Sequence, residues 1–165
     1  MRLHSLKMRN FRQHVRTEIS FGPGLTGIIG PNGAGKTTIL EAIAWALYGN
    51  QAVRGNRESI RFLGAGPRAQ VDVELEFDLG AHRYRVVRGL TDAKVFLDGA
   101  DEPIANSISA VTDLLHRRLG MSLSEFFHTY FTGQKELSVM AALTPAKATA
   151  SVTTTRPITP RAPAP

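Results

Sequence analysis

The residues with the clearest capacity for chemistry form one run, Gly30-Pro31-Asn32-Gly33-Ala34-Gly35-Lys36-Thr37. The run matches the pattern Gly-x-x-x-x-Gly-Lys-Ser/Thr, which is typical of loops that bind nucleoside triphosphates. Backbone N–H groups can converge on a triphosphate only where side chains are absent, which explains the glycines at 30, 33 and 35. Lys36 adds a full positive charge toward the β and γ phosphates, the Thr37 hydroxyl suits Mg²⁺, and Thr38 can donate one more hydrogen bond. The run predicts a triphosphate site; the alternative is a glycine-rich loop that binds nothing.

The elements on either side of this loop have to position it. Leu25, Ile28 and Ile29 form a short apolar run that predicts a buried strand. After the loop, apolar residues recur at the spacing of a helix face (Ile39, Ile43 and Leu47, with Leu40 and Ala44 beside them). We therefore expect a strand, the loop and a helix in this order, with Glu41 pointing away from the sheet.

Composition limits the kind of protein. The 165 residues include no cysteine, and the formal charge is +6. Three of these charges (Lys147, Arg156 and Arg161) lie in a tail without acids, so residues 1–143 carry +3, which favours a mildly basic solvated surface over a nucleic-acid face. The N-terminus lacks a continuous apolar segment, and the longest apolar run, residues 42–48, is far too short to span a bilayer. We expect a soluble, cytoplasmic protein.

The N-terminal segment predicts two strands joined by a polar corner. Apolar residues mark the first strand (Leu3, Leu6, Met8 and Phe11) and the second (Val15, Ile19 and Phe21). Between them lie Arg12, Gln13 and His14, which are rich in hydrogen-bond donors. Such a corner is either a solvated turn or a contact with the nucleotide, and the pattern alone leaves both open.

The clearest strand signal in the chain is the alternation of apolar and acidic residues from Val71 to Leu79. The next segment, His82 to Arg88, returns with a complementary pattern of basic and apolar residues. A two-residue turn at Gly80-Ala81 predicts the pairs Asp78–Arg83, Phe77–Tyr84, Glu76–Arg85 and Leu75–Val86. These charges therefore have a structural explanation, and we assign none of them to catalysis or to DNA binding.

The remaining elements follow from local signals. A third strand over residues 95–97 closes at Asp98-Gly99, and a helix begins after Ser107 and stops at Gly120. A second short helix begins after Ser122, with Glu125 in a capping-box position. The pattern then predicts a strand over residues 129–131 that ends in a polar loop at Gln134. From residue 144 the chain is rich in Ala, Thr and Pro, so we divide it into a lobe over 1–143 and a disordered tail over 144–165.

A phosphate loop alone does not make an ATPase, because hydrolysis usually needs an apolar strand that ends in Asp, commonly followed by Glu. The best match is Val95-Phe96-Leu97-Asp98, but Gly99 follows it and favours a tight turn. The strand that ends at Asp78 alternates, whereas a buried parallel strand is continuously apolar. No recognisable hydrolytic half is present in the pattern.

The combined motifs resemble a known family. Leu6-Lys7-Met8-Arg9-Asn10-Phe11-Arg12, then Ile19-Ser20-Phe21, then IIGPNGAGKTTILEAIAWALYG resemble the N-terminal lobe of the SMC-like DNA-repair ATPases. VDVELEFDLGAHRYRVVRG and FFHTYFTGQKEL are similar to SbcC, the ATPase subunit of an exonuclease. The resemblance covers roughly residues 1–145 and implies an α/β fold, the N-terminal lobe of a P-loop NTPase of the ABC-ATPase type, with an antiparallel β hairpin and flanking helices.

The resemblance also implies roles for individual residues. Seven residues would hold ATP through its phosphates: Asn32, Gly33, Ala34, Gly35, Lys36, Thr37 and Thr38. Lys36 and Gln134 are the implied catalytic residues, Thr37 and Gln134 the implied Mg²⁺ ligands, and Arg12 matches a position that approaches the nucleotide.

Partners are implied in the same way. Members of this family hydrolyse ATP between two heads in a head-to-head dimer, with a C-terminal lobe of the same ATPase and a nuclease, SbcD, that together process DNA ends. The charged helix that continues the family pattern after residue 145 is replaced here by KATASVTTTRPITPRAPAP, which suggests a truncated, frame-shifted or partial chain. Because the Asp-Glu strand and the signature motif of the family are absent from this sequence, the resemblance implies that the chain alone is inactive. A RecF-like recombination ATPase and an inactive nucleotide-binding remnant are the alternatives.

Overall fold

The fold was established from a computed structural model, which describes residues 1–55 and 57–130. The strands are β1 (Arg2–Phe11), β2 (His14–Ser20), β3 (Asp72–Leu79), β4 (His82–Gly89) and β5 (Ala93–Leu97). The helices are α1 (Lys36–Tyr48), α2 (Ile108–Leu119) and α3 (Leu123–Tyr130), with short 3-10 helices at Gly49–Ala52 and Arg57–Ile60. In these described ranges, no helix combines the length and apolar character that crossing a membrane requires.

The five strands form one antiparallel sheet in the order β2-β1-β3-β4-β5. Its central hairpin has the predicted register, with Asp78 opposite Arg83 and Leu75 opposite Val86. Gly80 takes a φ of +63° at the turn, a conformation that favours glycine. The apolar residues of β3 face the core, and its acids lie on the opposite face of the sheet beside polar side chains of β1 and β4. There Glu74 accepts a hydrogen bond from Lys7 of β1 at 3.0 Å. The alternating pattern therefore determined both faces of the hairpin.

The predicted buried strand over residues 25–29 is wrong for the described part of the chain. These residues pair with none of the described strands, and the side chains of Leu25 and Ile29 are 87% and 81% exposed. A strand exists only where a neighbour satisfies its backbone N–H and C=O groups, and an apolar pattern does not specify that neighbour. Leu25 and Ile29 therefore lie at the surface, while Ile28 is half-buried and packs against the core.

Helix α1 is the centre of the core. Nine of its residues are buried, among them Trp45, whose ring packs on Phe11 with centroids 5.3 Å apart. Two expectations for this helix are wrong: Leu40 is 40% exposed, and Glu41 does not point away but pairs with Arg12. The spacing of apolar residues predicted the helix correctly, while the partners on its flanks come from distant parts of the chain.

The C-terminal end of α1 is held by an arginine of the sheet. Arg88 on β4 is buried, and its Nε donates to the carbonyl oxygen of Ala46 at 3.0 Å, while an Nη atom donates to the Thr112 hydroxyl of α2 at 3.3 Å. Burial lowers the pKa of Arg88 to about 10. The cation lies where the carbonyl groups at the end of α1 concentrate negative partial charge, so it stabilises that end of the helix.

The helix caps are as predicted. Ser107 Oγ accepts the N–H of Ala110 at 3.2 Å, and Gly120 ends α2 in the left-handed conformation. Ser122 and Glu125 form a reciprocal capping box at the start of α3. This helix continues to Tyr130, so the strand predicted over residues 129–131 is wrong at 129 and 130. Gln134 and the predicted tail, 144–165, lie outside the described residues.

The turn at Asp98 is confirmed. Asp98 and Gly99 both have positive φ, +50° and +78°, directly after β5. The Asp98 carboxylate accepts the backbone N–H of Arg83 at 2.8 Å and contacts His82 Nδ1 at 2.7 Å. These contacts lower the pKa of Asp98, and they give its carboxylate a structural role in closing the β4–β5 hairpin.

Candidate nucleotide-binding site

The glycine-rich loop is a compact turn that leads directly into α1. Gly33 and Gly35 take φ values of +84° and +89°, a region that side-chain-bearing residues rarely adopt. The N–H of Ala34 donates to the carbonyl oxygen of Pro31 at 3.2 Å. The N–H of Ile39 donates to the carbonyl oxygen of Gly35 at 3.2 Å, which closes the first turn of the helix. The loop therefore brings the positive end of the α1 dipole to the position where the sequence predicts phosphates.

Lys36 lies across the loop. Its Nζ donates to the carbonyl oxygens of Gly30 at 2.7 Å and Pro31 at 2.8 Å. These are neutral acceptors, and no carboxylate accepts from Lys36 Nζ in the described part of the chain. The ammonium can therefore exchange these carbonyls for phosphate oxygens without breaking an ion pair.

The two threonines that follow have different surroundings. Thr37 is exposed at the first turn of α1, so its hydroxyl is accessible to an ion. Thr38 is buried, and its hydroxyl donates to Gln13 Oε1 at 3.0 Å. An exposed threonine hydroxyl is a hard oxygen of the kind that binds Mg²⁺, whereas the Thr38 hydroxyl is engaged by the corner between β1 and β2. Asn32, Gly33 and Ala34 are exposed at the loop tip.

The corner between β1 and β2 packs against this loop: Arg12 is half-buried and His14 is buried, while Gln13 is exposed. Arg12 has a φ of +52°, and its Nη atoms donate to Glu41 Oε1 at 2.6 Å and to the carbonyl oxygens of Ser59 at 2.8 Å and Arg54 at 2.5 Å. Its Nε is buried without a partner among the described residues. Arg12 thus lies beside the first turns of α1, held by a carboxylate and two carbonyl oxygens.

Gln13 and His14 contact the loop itself. Gln13 Nε2 donates to the carbonyl oxygen of Gly33 at 3.4 Å, and His14 Nε2 lies 3.3 Å from that of Gly35. His14 is only 4% exposed, and burial lowers the pKa of its imidazole, which favours the neutral form. Both side chains support the loop from the side of the sheet.

The donors fit a triphosphate with Mg²⁺. The loop offers glycine backbone without side chains at Gly33, where a Cβ would meet nothing within 4 Å. Lys36 supplies a positive charge, Arg12 supplies a second one that is paired with Glu41, and Thr37 supplies an exposed hydroxyl. A shallow pocket lies beside them, lined by the apolar side chains of Ile28, Ile29 and Ile39 and by the loop. A helix N-terminus, a lysine and a hard oxygen are groups that bind phosphates and their counter-ion.

Sequence reasoning missed three residues at this site: Gln13, His14 and Glu41. Gln13 and His14 were visible only as polar residues in a predicted turn, and Glu41 was assigned to solvent. Their contacts join residues 20 to 29 positions apart in the chain. No local spacing encodes such contacts. The one available signal was that Arg12, Gln13 and His14 form a polar corner between two predicted strands.

A glycine-rich turn that delivers a lysine and a threonine to a buried helix, beside an antiparallel sheet, defines the N-terminal lobe of a P-loop NTPase. The family model of the AAA domain, AAA_23, matches residues 5–145, and the chain belongs to this family. The fold class expected from the sequence is therefore confirmed.

Curated relatives agree with this family. The chain is 33% identical over 151 residues to a DNA double-strand break repair Rad50 ATPase of Methanocaldococcus jannaschii, and 35% identical over 149 residues to one of Methanococcus maripaludis. These alignments cover 89% and 88% of the chain but 14% of each relative, so the chain spans about one seventh of their length. The expected similarity to SMC-like DNA-repair ATPases is confirmed over most of the chain.

A solved structure shows the same fold. It comes from work on the ATP-driven dimerization and DNA-stimulated activation of SMC ATPases, and its TM-score with this chain is 0.58 at 20% identity. The match covers 88% of this chain and 93% of the other. The two chains therefore share the arrangement of sheet and helices described above.

Proposed function

We propose that this chain binds ATP with Mg²⁺ through residues 32–38, as the N-terminal half of an SMC-like ATPase that acts in DNA repair. The observation that carries the proposal is the loop geometry: two left-handed glycines place Lys36 and the exposed Thr37 at the N-terminus of a buried helix. The similarity to two DNA double-strand break repair Rad50 ATPases over most of the chain supports the same function.

Each residue has a defined task in this proposal. Lys36 exchanges the carbonyl oxygens of Gly30 and Pro31 for the β and γ phosphates, and Arg12 adds a second cation beside the first turns of α1. Thr37 would hold Mg²⁺, which would neutralise part of the phosphate charge. Gln134, outside the described residues, is proposed as a further Mg²⁺ ligand and as the residue that orients the attacking water.

Turnover is proposed to need a second half. Asp98, the best candidate for an acidic metal-binding strand, is used in the hairpin turn after β5. We therefore assign hydrolysis to a complex with the C-terminal lobe of the same ATPase, in a head-to-head dimer of heads. By its SbcC-like motifs, this complex works in the cytoplasm with an SbcD-type nuclease on DNA ends. In this proposal the chain alone binds ATP without hydrolysing it.

Nucleotide binding is tested directly on the full chain. Titration with ATP and Mg²⁺, followed by calorimetry and by thermal unfolding, should show saturable binding and a rise of the unfolding midpoint, because a ligand that binds only the native state stabilises it. Lys36→Ala should abolish both signals. Asp98→Asn is the control, since its carboxylate lies in a turn, and it should bind ATP as the unchanged chain does. Absence of binding by the unchanged chain would overturn the proposal.

The assignment of turnover is tested by complementation. The chain mixed with the C-terminal lobe of a Rad50 ATPase should hydrolyse ATP, while neither part alone should do so. Lys36→Ala in this chain should abolish the activity of the mixture. Continued hydrolysis in the Lys36→Ala mixture would show that this loop is not the site.

A further inference from the structure

The turn between β1 and β2 touches the phosphate-binding loop through two side chains whose roles the proposed function leaves open. Gln13 lies in the turn and His14 is the first residue of β2, and the loop begins sixteen residues after His14 in the chain. Both contact the loop at the two glycines with positive φ, Gly33 and Gly35. This juxtaposition raises the question of what these contacts do for phosphate binding.

His14 is oriented by both of its ring nitrogens. Nε2 lies 3.3 Å from the carbonyl oxygen of Gly35, and Nδ1 lies 2.9 Å from the Thr17 hydroxyl. A carbonyl oxygen only accepts, so we assign the proton to Nε2, which leaves Nδ1 to accept from Thr17. Burial lowers the pKa of the imidazole, which is consistent with this neutral tautomer. Thr17 on β2 therefore orients His14, and His14 in turn holds Gly35.

The contact at Gly35 determines the direction of a phosphate-binding amide. A trans peptide places its C=O and N–H on opposite sides, so a fixed Gly35 carbonyl also fixes the N–H of Lys36. The Gly35 carbonyl accepts from His14 and from the N–H of Ile39, both of which lie away from the loop opening. The N–H of Lys36 is therefore directed out of the helix N-terminus, toward the predicted phosphates.

The fit at Gly35 is too tight for any side chain. A Cβ on this residue would lie 2.5 Å from His14 Nε2 and 3.1 Å from Gln13 Cγ. Gly35 therefore has two reasons to be glycine: its φ of +89°, and the approach of the corner.

Gln13 acts at the neighbouring positions. Its Oε1 accepts from the Thr38 hydroxyl at 3.0 Å, and its Nε2 donates to the Gly33 carbonyl oxygen at 3.4 Å. One amide side chain thus spans from the loop to the first turn of α1. A loop held at both positions needs less ordering when an anion binds, and pre-ordering raises affinity.

We propose that Gln13 and His14 are positioning residues for phosphate binding: they hold the loop in its binding conformation before a ligand arrives, and contact no phosphate themselves. This inference rests on the proposed function, since it concerns the same site. It predicts that changes at either residue weaken binding of the triphosphate moiety and not recognition of the nucleoside.

The test measures ATP and inorganic tripolyphosphate affinity by calorimetry, at a temperature where circular dichroism shows every variant to be folded. His14→Ala should lower the affinity for both ligands by about tenfold, which is the scale of one lost hydrogen bond. His14→Gln, whose amide N–H can replace Nε2, should recover most of the affinity. Gln13→Ala should weaken both ligands by a similar factor, whereas adenosine should bind each variant as it binds the unchanged chain.

Controls separate this inference from the proposed function and from general destabilisation. Thr112→Ala removes a partly buried hydrogen bond with Arg88 at the C-terminal end of α1, the end opposite to the loop. It should lower the unfolding midpoint without changing tripolyphosphate affinity. Failure of the unchanged chain to bind ATP would overturn the proposed function and this inference with it. Normal ATP binding by the unchanged chain, with equal affinity in His14→Ala and Gln13→Ala, would overturn only the positioning role. Loss of affinity that His14→Gln does not recover would contradict the assigned hydrogen bond.

Discussion

Arg12 donates a hydrogen bond from its guanidinium to Glu41 Oε1 at 2.6 Å, and both side chains are 19% exposed. The same carboxylate oxygen accepts the backbone N–H of Arg54 at 3.1 Å. One ion pair thus joins the β1–β2 turn, helix α1 and the loop after that helix. Arg12 is a proposed nucleotide contact. Its position depends on Glu41, a residue that the sequence pattern predicted to point away from the sheet.

Replacement of Glu41 by alanine should lower the free energy of unfolding by about 1–3 kcal/mol, because Arg12 would keep its charge in a partly buried place without a carboxylate. Urea denaturation measures the change. Glu102→Ala, at an exposed position, is the matched control and should stay within about 0.5 kcal/mol. A double-mutant cycle with Arg12→Ala should show positive coupling; strictly additive effects would contradict the pairing.

Acid sensitivity should depend on Asp78. Hydrogen bonds from Arg83 and His4 lower the pKa of this carboxyl from its ordinary value of 3.8 to about 2. A lowered folded-state pKa stabilises the protein above the unfolded value, and this contribution is lost as the pH falls through the folded value. Asp78→Asn should therefore lower the unfolding midpoint at neutral pH, and the difference should shrink between about pH 4 and about pH 2.

Midpoints measured by circular dichroism across this pH range provide the check. Asp101→Asn, an exposed carboxyl elsewhere on the surface, is the control and should leave the profile unchanged. A difference between Asp78→Asn and the unchanged chain that stays constant down to the lowest pH would show that ionisation of Asp78 is not involved.

Arg88 should be among the most sensitive positions of the fold. Alanine at this position removes the donor to the Ala46 carbonyl oxygen and leaves a cavity beside α2, so we expect a loss of about 2–4 kcal/mol in unfolding free energy. Arg85→Ala is the control, because Arg85 lies on the same strand, half-exposed, with its guanidinium 3.9 Å from the Phe96 ring centre. It should cost less than about 1 kcal/mol. Equal losses in the two variants would contradict the capping role of Arg88.

Much of the fold was predictable because it depends on short-range signals. The β3–β4 register follows from alternating side chains and a two-residue turn, and the structure has the predicted pairs. The caps of α2 and α3 follow from Ser107, Gly120 and the Ser122–Glu125 box, which act within a few residues of themselves. In each of these cases the partner is encoded a few positions away.

The wrong predictions concern features that depend on residues distant in the chain. The apolar run at residues 25–29 is suited to a buried strand, but no described strand lies beside it. Residues 129 and 130, predicted as a strand, belong to helix α3. The capping box marks where this helix begins and does not say where it ends. Pairing and termination depend on neighbours that a local pattern does not contain.

The sequence by itself predicted the glycine-rich loop and the helix that follows it, since glycines, Lys36 and Thr37 at fixed spacing match the phosphate-binding pattern. Only the tertiary structure decided how that loop is held. Gln13, His14 and Glu41 acquire their partners when the sheet and α1 pack together, and hydrogen bonds between residues 20 to 29 positions apart leave no periodic trace in the chain. Spacing along the chain specifies local conformation, whereas contacts between distant segments exist only after the chain has folded.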